Sequence, residues 1–261
     1  MAEQTLADRH AVVTGGGKGI GEAISRRLAA MGASVTVIGR TPAPLHALVA
    51  ELSAEHQQSF FAAPADVTDE ALVESAFAAA RKALGPISIL INNAGAADSV
   101  PLAKMETARW QAMLDVNLTS AFFCTHRALP NMLESGWGRI VNVASVAGLT
   151  GYAYVTAYCA AKHGLIGLTR ALAAETAGSG VTVNAICPGY VDTDLVTQSV
   201  ERIQEKTGRS GDEIKQHIAE QNPMGRMLTP EEVASPVAWL CDPEQAMISG
   251  ASLPLTGSEV F

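Results

Sequence analysis

The sequence predicts an α/β fold, a doubly wound parallel sheet with helices on both faces. Three observations predict it. Short β-branched apolar runs alternate with longer, alanine-rich stretches of helical period. The apolar runs are continuous, as strands covered on both faces require. The first run leads through a glycine-rich turn directly into a helix.

Taken in order, the strands are expected at AVVT (11–14), SVTVIG (34–39), SFFAA (59–63), ISILIN (87–92), RIVNVAS (139–145), VTVNAICP (181–188) and ASLPL (251–255). Helices are expected near 19–31, 43–54, 69–84, 106–134, 155–177 and 230–241. No linker or repeat divides the chain, and seven strands in one sheet use its whole length, so a single domain over 1–261 is expected. The stretch 190–226 breaks the rhythm with polar, partly helical sequence after a strand end. An insertion of that length usually has a functional use, and it reads as a lid over the site.

Composition narrows the function classes. The 261 residues are 48% hydrophobic and 17% charged, with a net charge of −8 and no block of like charge. Nucleic acid and anionic membrane are therefore poor partners. The N-terminus lacks an apolar signal core, and no apolar run approaches the roughly 20 residues of a membrane span. Cys124, Cys159, Cys187 and Cys241 are widely spaced and form no CxxC pair, as expected of reduced thiols in a cytoplasmic protein.

The glycine turn reads TGGGKGIG, Thr14 to Gly21. Gly19 follows Lys18 where a phosphate-binding P-loop needs Ser or Thr, and the glycine spacing is G-x-x-x-G-x-G, from Gly15, Gly19 and Gly21. Glycines here let backbone N–H groups and the helix N-terminus approach a pyrophosphate, with Gly17 and Ile20 in the same turn. At the end of the second strand, Gly39, Arg40 and Thr41 stand where an acid would hold an adenosine 2′-hydroxyl. Arg40 would pair with a 2′-phosphate, and Lys18 can add a second charge, although each also suits an ordinary surface position. Together they favour NADP(H) over NAD(H). Asp66, beside Val67, is placed either to accept from an adenine amino group or to cap the helix at 69–84.

Only four tyrosines occur, and three of them, Tyr152, Tyr154 and Tyr158, fall within seven positions. Tyr158 alone has a lysine at i+4, Lys162, on the same helix face. An ammonium beside the phenol is expected to lower its pKa and make it a usable proton donor and acceptor. His163 points about 100° away from Lys162 on a helix and reads as structural. No metal-ligand spacing is present, so no metal is invoked.

Beyond TGGGKGIG, the segments INNAGAA (91–97), DVNLTSAF (115–122), VNVASVAG with Ser145, and NAICPGYVDT (184–193) stand in order along the chain. With these motifs the sequence resembles the short-chain dehydrogenase/reductase family over nearly its whole length. The resemblance implies a Rossmann-type sheet of order 3-2-1-4-5-6-7 and a homotetramer or homodimer pairing through the helices at 106–134 and 155–177. It implies a tetrad of Asn117, Ser145, Tyr158 and Lys162. Ser145 would bind the substrate carbonyl and Tyr158 would pass the proton. Lys162 would tune Tyr158 and hold the nicotinamide ribose, and Asn117 would hold a relay water. Asn93, with the backbone of Ala94 and Gly95, would line the cofactor, as would Pro188, Gly189, Val191 and Thr193. Tyr152 and Tyr154 would line the substrate pocket or belong to a subunit interface. The chain departs from many relatives at its C-terminus, where Thr256 and Ser258 replace an acid and a glycine near a subunit contact.

The implied substrate is a small carbonyl or secondary alcohol, most similar to members acting on 3-oxoacyl thioesters, with a CoA thioester preferred to a carrier protein because basic docking residues are few. Lid cations Arg202, Lys206, Arg209 and Lys215 are offset by Glu201, Glu205, Asp212 and Glu213. A dehydrogenase of cyclic, aromatic or small hydroxy-acid alcohols is the alternative. A non-catalytic cofactor sensor on the same fold is the alternative from another class.

Overall fold

Val12 and Val13 are sequence neighbours whose side chains leave opposite faces of one strand, and the layering of the molecule follows from that alternation. The computed structural model describes residues 4–257, apart from the side chains of Leu195, Gln198, Arg202, Lys206 and Thr207. Ser258 thus lies outside the described residues, as do the side chains of two of the four lid cations, Arg202 and Lys206.

The strands are β1 (His10–Thr14), β2 (Ser34–Gly39), β3 (Phe60–Pro64), β4 (Ile89–Asn92), β5 (Gly138–Val143), β6 (Val181–Pro188) and β7 (Ser252–Leu255). They form one seven-stranded sheet in the order β3-β2-β1-β4-β5-β6-β7. Every pairing is parallel. Strand order reverses between β1 and β4, where Val12 pairs with Leu90, and ligand crevices form at such points beyond the strands' C-terminal ends.

The helices are α1 (Gly19–Ala30), α2 (Pro42–Glu55), α3 (Glu70–Leu84), α4 (Thr107–Leu114), α5 (Ser120–Ser135), α6 (Thr156–Glu175), α7 (Asp194–Thr207), α8 (Gly211–Glu220) and α9 (Pro230–Cys241). Ala11, Val13, Val35, Val37 and Ile91 pack with Ile24 and Leu28 of α1, Leu45 of α2 and Val237 of α9 on one face. Val12, Ile38, Leu90 and Ile140 pack with Phe77 of α3, Cys124 of α5 and Leu172 of α6 on the other. All four cysteines are free and buried. Burial pushes the thiols of Cys124 and Cys241 up to about 12 and that of Cys187 to about 11. Among the described residues no helix is long and apolar enough to cross a membrane.

Three expectations are corrected. The helix read at 106–134 is α4 and α5 joined by a π-helical turn over Asp115–Thr119. β5 stops at Val143, so Ser145 caps a 3₁₀ turn (Val146–Gly148) instead of ending the strand. The cap of α3 is Asp69, which accepts from the N–H groups of Ala71 and Leu72, while Asp66 folds onto Thr68 in the turn before it. Within 190–226, α7 and α8 bury Val196, Val200, Ile214 and Ile218 against each other in a small cluster of their own.

Candidate active site

The turn between β1 and α1 is folded so tightly that only glycine fits at its centre. A Cβ on Gly21 would lie 2.1 Å from the Gly15 carbonyl oxygen, and Gly15 itself has a left-handed φ of +63°. The segment after β4 is stitched to this turn. Thr14 Oγ1 accepts from the N–H groups of Asn93 and Ala94, each at 3.0 Å. Asn93 Nδ2 donates to Thr14 O at 2.9 Å and Gly15 O at 3.3 Å. The Asn93 side chain is therefore a strut between two loops, a role that its expected place along the cofactor did not include.

The start of α1 suits an anion. Its N-cap, Lys18, makes no side-chain cap, so the first-turn N–H groups remain for a ligand. Gly17 closes over Leu45, and Gly19 faces Thr193, whose methyl would lie 3.2 Å from a Cβ placed there. Arg40 and Thr41 stand exposed just past β2, and Val67 is buried nearby after β3. The carboxyl of Asp66 is held below its usual range, chiefly by the Thr68 N–H and also by the charge of Arg40. Lys18 pairs with Asp194 at the start of α7 at 3.3 Å. Both side chains are about two-thirds exposed, and such pairs contribute at most about 1 kcal/mol, so Lys18 can change partner readily. A glycine cradle and an uncapped helix start fit the pyrophosphate of a dinucleotide.

The four tetrad residues converge beyond the ends of β4, β5 and β6. Tyr158 and Lys162 lie on α6, and Ser145 hydrogen-bonds the Tyr158 side chain. Asn117 sits in the π turn, buried, with Nδ2 donating to Ala96 O at 2.9 Å and Met113 O at 3.0 Å. Its Oδ1 accepts from the Ala96 N–H, so both amide protons are used on protein carbonyls and the side chain holds the 94–96 loop in place. Gly95 makes this possible, because a Cβ there would stand 2.8 Å from Asn117 Oδ1 and 3.6 Å from Lys162 Nζ. Removing this amide orphans three partly buried backbone groups, so Asn117→Ala is expected to lower stability by about 2 kcal/mol. Urea unfolding would show this as a lower midpoint at unchanged slope.

The expected depression of the Tyr158 pKa is not found. Burial raises it, outweighing the Ser145 hydrogen bond that lowers it. Lys162 Nζ instead donates to Val143 O at 2.8 Å and lies 5.6 Å from the centre of the Tyr158 ring. Burial brings the Lys162 ammonium down to about 8. An i+4 spacing brings the two residues to one helix face but does not decide where a four-carbon stem points.

A recess of about 50 Å³ is lined by Val146, Tyr152, Gly189, Tyr190, Gln221, Asn222 and Thr256, and the Tyr190 phenol lies near enough to act on Tyr158. Tyr152 is among its lining residues. Tyr154 is not among the lining residues: it is 62% exposed, at a left-handed φ of +68°, and its carbonyl accepts from the Val100 N–H at 2.7 Å. Pro188 ends β6, and the Gly189 N–H donates to Leu255 O at 3.0 Å. Val191 bridges to Leu228, and Thr193 N-caps α7. His163 folds back onto the Cys159 carbonyl at 2.9 Å, a structural role. Sequence reasoning missed Gln221 and Asn222, which no local motif marks. Tyr190 lies inside NAICPGYVDT and Thr256 in the C-terminal departure, but neither segment marks its residue as lining a pocket.

Residues 9–204 match the family model described as short chain dehydrogenase. The chain is 38% identical over 257 residues to a D-beta-hydroxybutyrate dehydrogenase of Cupriavidus necator, covering 98% of this chain and 99% of that protein. It is 38% identical over 252 residues to an acetoacetyl-CoA reductase of the same organism, covering 97% and 98%. Among solved structures, an actinorhodin polyketide ketoreductase with NADPH superposes with a TM-score of 0.91 at 36% identity, covering 98% of each chain.

Proposed function

This chain belongs to the short-chain dehydrogenase family and is an oxidoreductase acting on CH–OH groups, and we propose that it is an NADPH-dependent reductase of 3-oxoacyl thioesters. The observation that carries this reading is the meeting of Ser145, Tyr158, Lys162 and Asn117, with a recess lined by Val146 and Tyr190 beside them. Bound NADP(H) would supply or accept the hydride. Its phosphates would rest on the glycine turn and the start of α1, with Arg40 and Lys18 for the 2′-phosphate and Asp66 at the adenine edge.

Within that frame each side chain has a distinct task. Ser145 donates to the substrate carbonyl and orients it. The raised Tyr158 pKa keeps its phenol protonated at neutral pH, ready to protonate the oxygen as it gains charge. Lys162 supplies positive charge beneath the site, and Asn117 holds the loop that faces it. Above about pH 8 Lys162 loses its proton, so reduction is limited there before Tyr158 titrates.

The thioester reading rests on similarity to the acetoacetyl-CoA reductase and on the modest recess. CoA is preferred to a carrier protein because Arg127, a cation on α5, is already paired with Glu70 and Glu74. A ring-ketone reductase is the second reading, favoured by Tyr152 and Tyr190 in the recess and by the ketoreductase structure. Exposed Phe122 and Leu133 on α5 support a homotetramer or homodimer paired through α5 and α6. Four buried free thiols suit the cytoplasm. The single domain and the α7–α8 lid belong to the same reading.

The test is the initial rate of cofactor oxidation with acetoacetyl-CoA. NADPH is expected to exceed NADH by at least about tenfold in kcat/KM, roughly 1.4 kcal/mol. Arg40→Asp should invert that preference, since a carboxylate there repels the 2′-phosphate. A clear NADH preference in the wild type would overturn the cofactor assignment.

A further inference from the structure

Building on the reductase reading, we propose that the recess selects a neutral 3-oxo substrate, a thioester, ester or amide, and rejects the free 3-oxo carboxylate. Tyr152, Tyr190, Gln221, Asn222 and Thr256 surround it, and none of the described residues lining it carries a charge. Tyr190 ties this wall to the reacting centre, because its phenol lies near enough to act on Tyr158. Among the described lining residues a carboxylate entering here would meet no cation, and leaving water on those terms is strongly unfavourable.

Among the described cations, Lys162 donates to Val143 O, Arg226 pairs with Glu232 and Arg109 with Asp98. Asn222 is oriented by its surroundings. Its Oδ1 accepts from the Met224 N–H at 2.9 Å, which fixes the amide and leaves Nδ2 as the donor still to be used among the described residues. A neutral amide donor suits a neutral carbonyl oxygen. The volume of about 50 Å³ holds about four water-sized groups, a short acyl segment.

Acetoacetate and acetoacetamide differ by O⁻ against NH₂ at nearly constant size, which makes them the deciding pair, with methyl acetoacetate as a second neutral ligand. In NADPH oxidation the two neutral compounds are expected to exceed acetoacetate by at least about 100-fold in kcat/KM. Gln221→Lys, an exposed site that places an ammonium at the recess, should raise acetoacetate relative to acetoacetamide by about tenfold or more. Acetoacetate reduced as well as its amide by the wild type would overturn the proposal. If none of the three is reduced, the thioester reading loses support, and the thermal shift of the NADP⁺-loaded protein decides selectivity. A larger shift with acetoacetamide upholds it, and an equal or larger shift with acetoacetate overturns it.

Discussion

Replacing Tyr158 with phenylalanine is expected to lower kcat/KM for ketone reduction by about 10²–10⁴-fold while NADPH still binds. The change removes one hydroxyl and keeps the ring, so the packing of α6 stays. Burial raises the pKa of that phenol and keeps it protonated at neutral pH, as its proposed role as the acid of reduction requires. Ser145 loses the partner it has in the folded chain, yet it retains its link to the Ala147 N–H and so stays in place. A variant that reduces ketone at the wild-type rate would sink the assignment of Tyr158. Unchanged biological activity in a variant that binds NADPH would support a cofactor sensor and remove both enzyme readings.

The second large effect is expected at Lys162, where activity and stability should move in opposite directions. This ammonium is only 4% exposed and, among the described residues, has no carboxylate partner, donating instead to the Val143 carbonyl. Its fall from 10.5 to about 8 means that folding a charged lysine there costs about 3 kcal/mol at neutral pH. Lys162→Met removes that charge at similar length and leaves Val143 O without its donor, a loss of about 1 kcal/mol. The net gain of about 2 kcal/mol should raise Tm by about 4–8 °C, with reduction almost abolished.

The pH dependence follows from the direction of the shift. Between about 8 and 10.5 the unfolded chain holds the proton that the folded chain has released, so the wild type gains stability as pH rises through that window. The advantage of the methionine variant should be full below pH 8, shrink through the window and reverse by about 10.5. Only the lost Val143 hydrogen bond of about 1 kcal/mol remains there. A lower Tm for the methionine variant at pH 7 would show that the ammonium stabilises the fold.

The sheet was legible in sequence because strands buried on both faces are written as unbroken apolar runs. SVTVIG and VTVNAICP are β2 and β6 to the residue. The tetrad was legible because its motifs are local and ordered along the chain. What escaped is decided by contacts between distant segments. The π turn at Asp115–Thr119 has no period of its own in sequence and is held by Asn117 reaching Ala96 and Met113. Lys18 meets Asp194 across 176 residues, and Gln221 and Asn222 reach the recess only once α8 has folded. Asp69 carries a local signal, since an aspartate directly before EALVESAF is an N-cap signal.

The buried thiols make the molecule a recorder of its own opening. Alkylating reagents attack thiolates, and Cys124, Cys187 and Cys241 have almost none at neutral pH while the chain is folded. They sit in three separate clusters, on α5 beneath one face of the sheet, on β6, and on α9 beneath the other face. The rate at which each is tagged therefore timestamps the exposure of its own part of the core, without any engineered label.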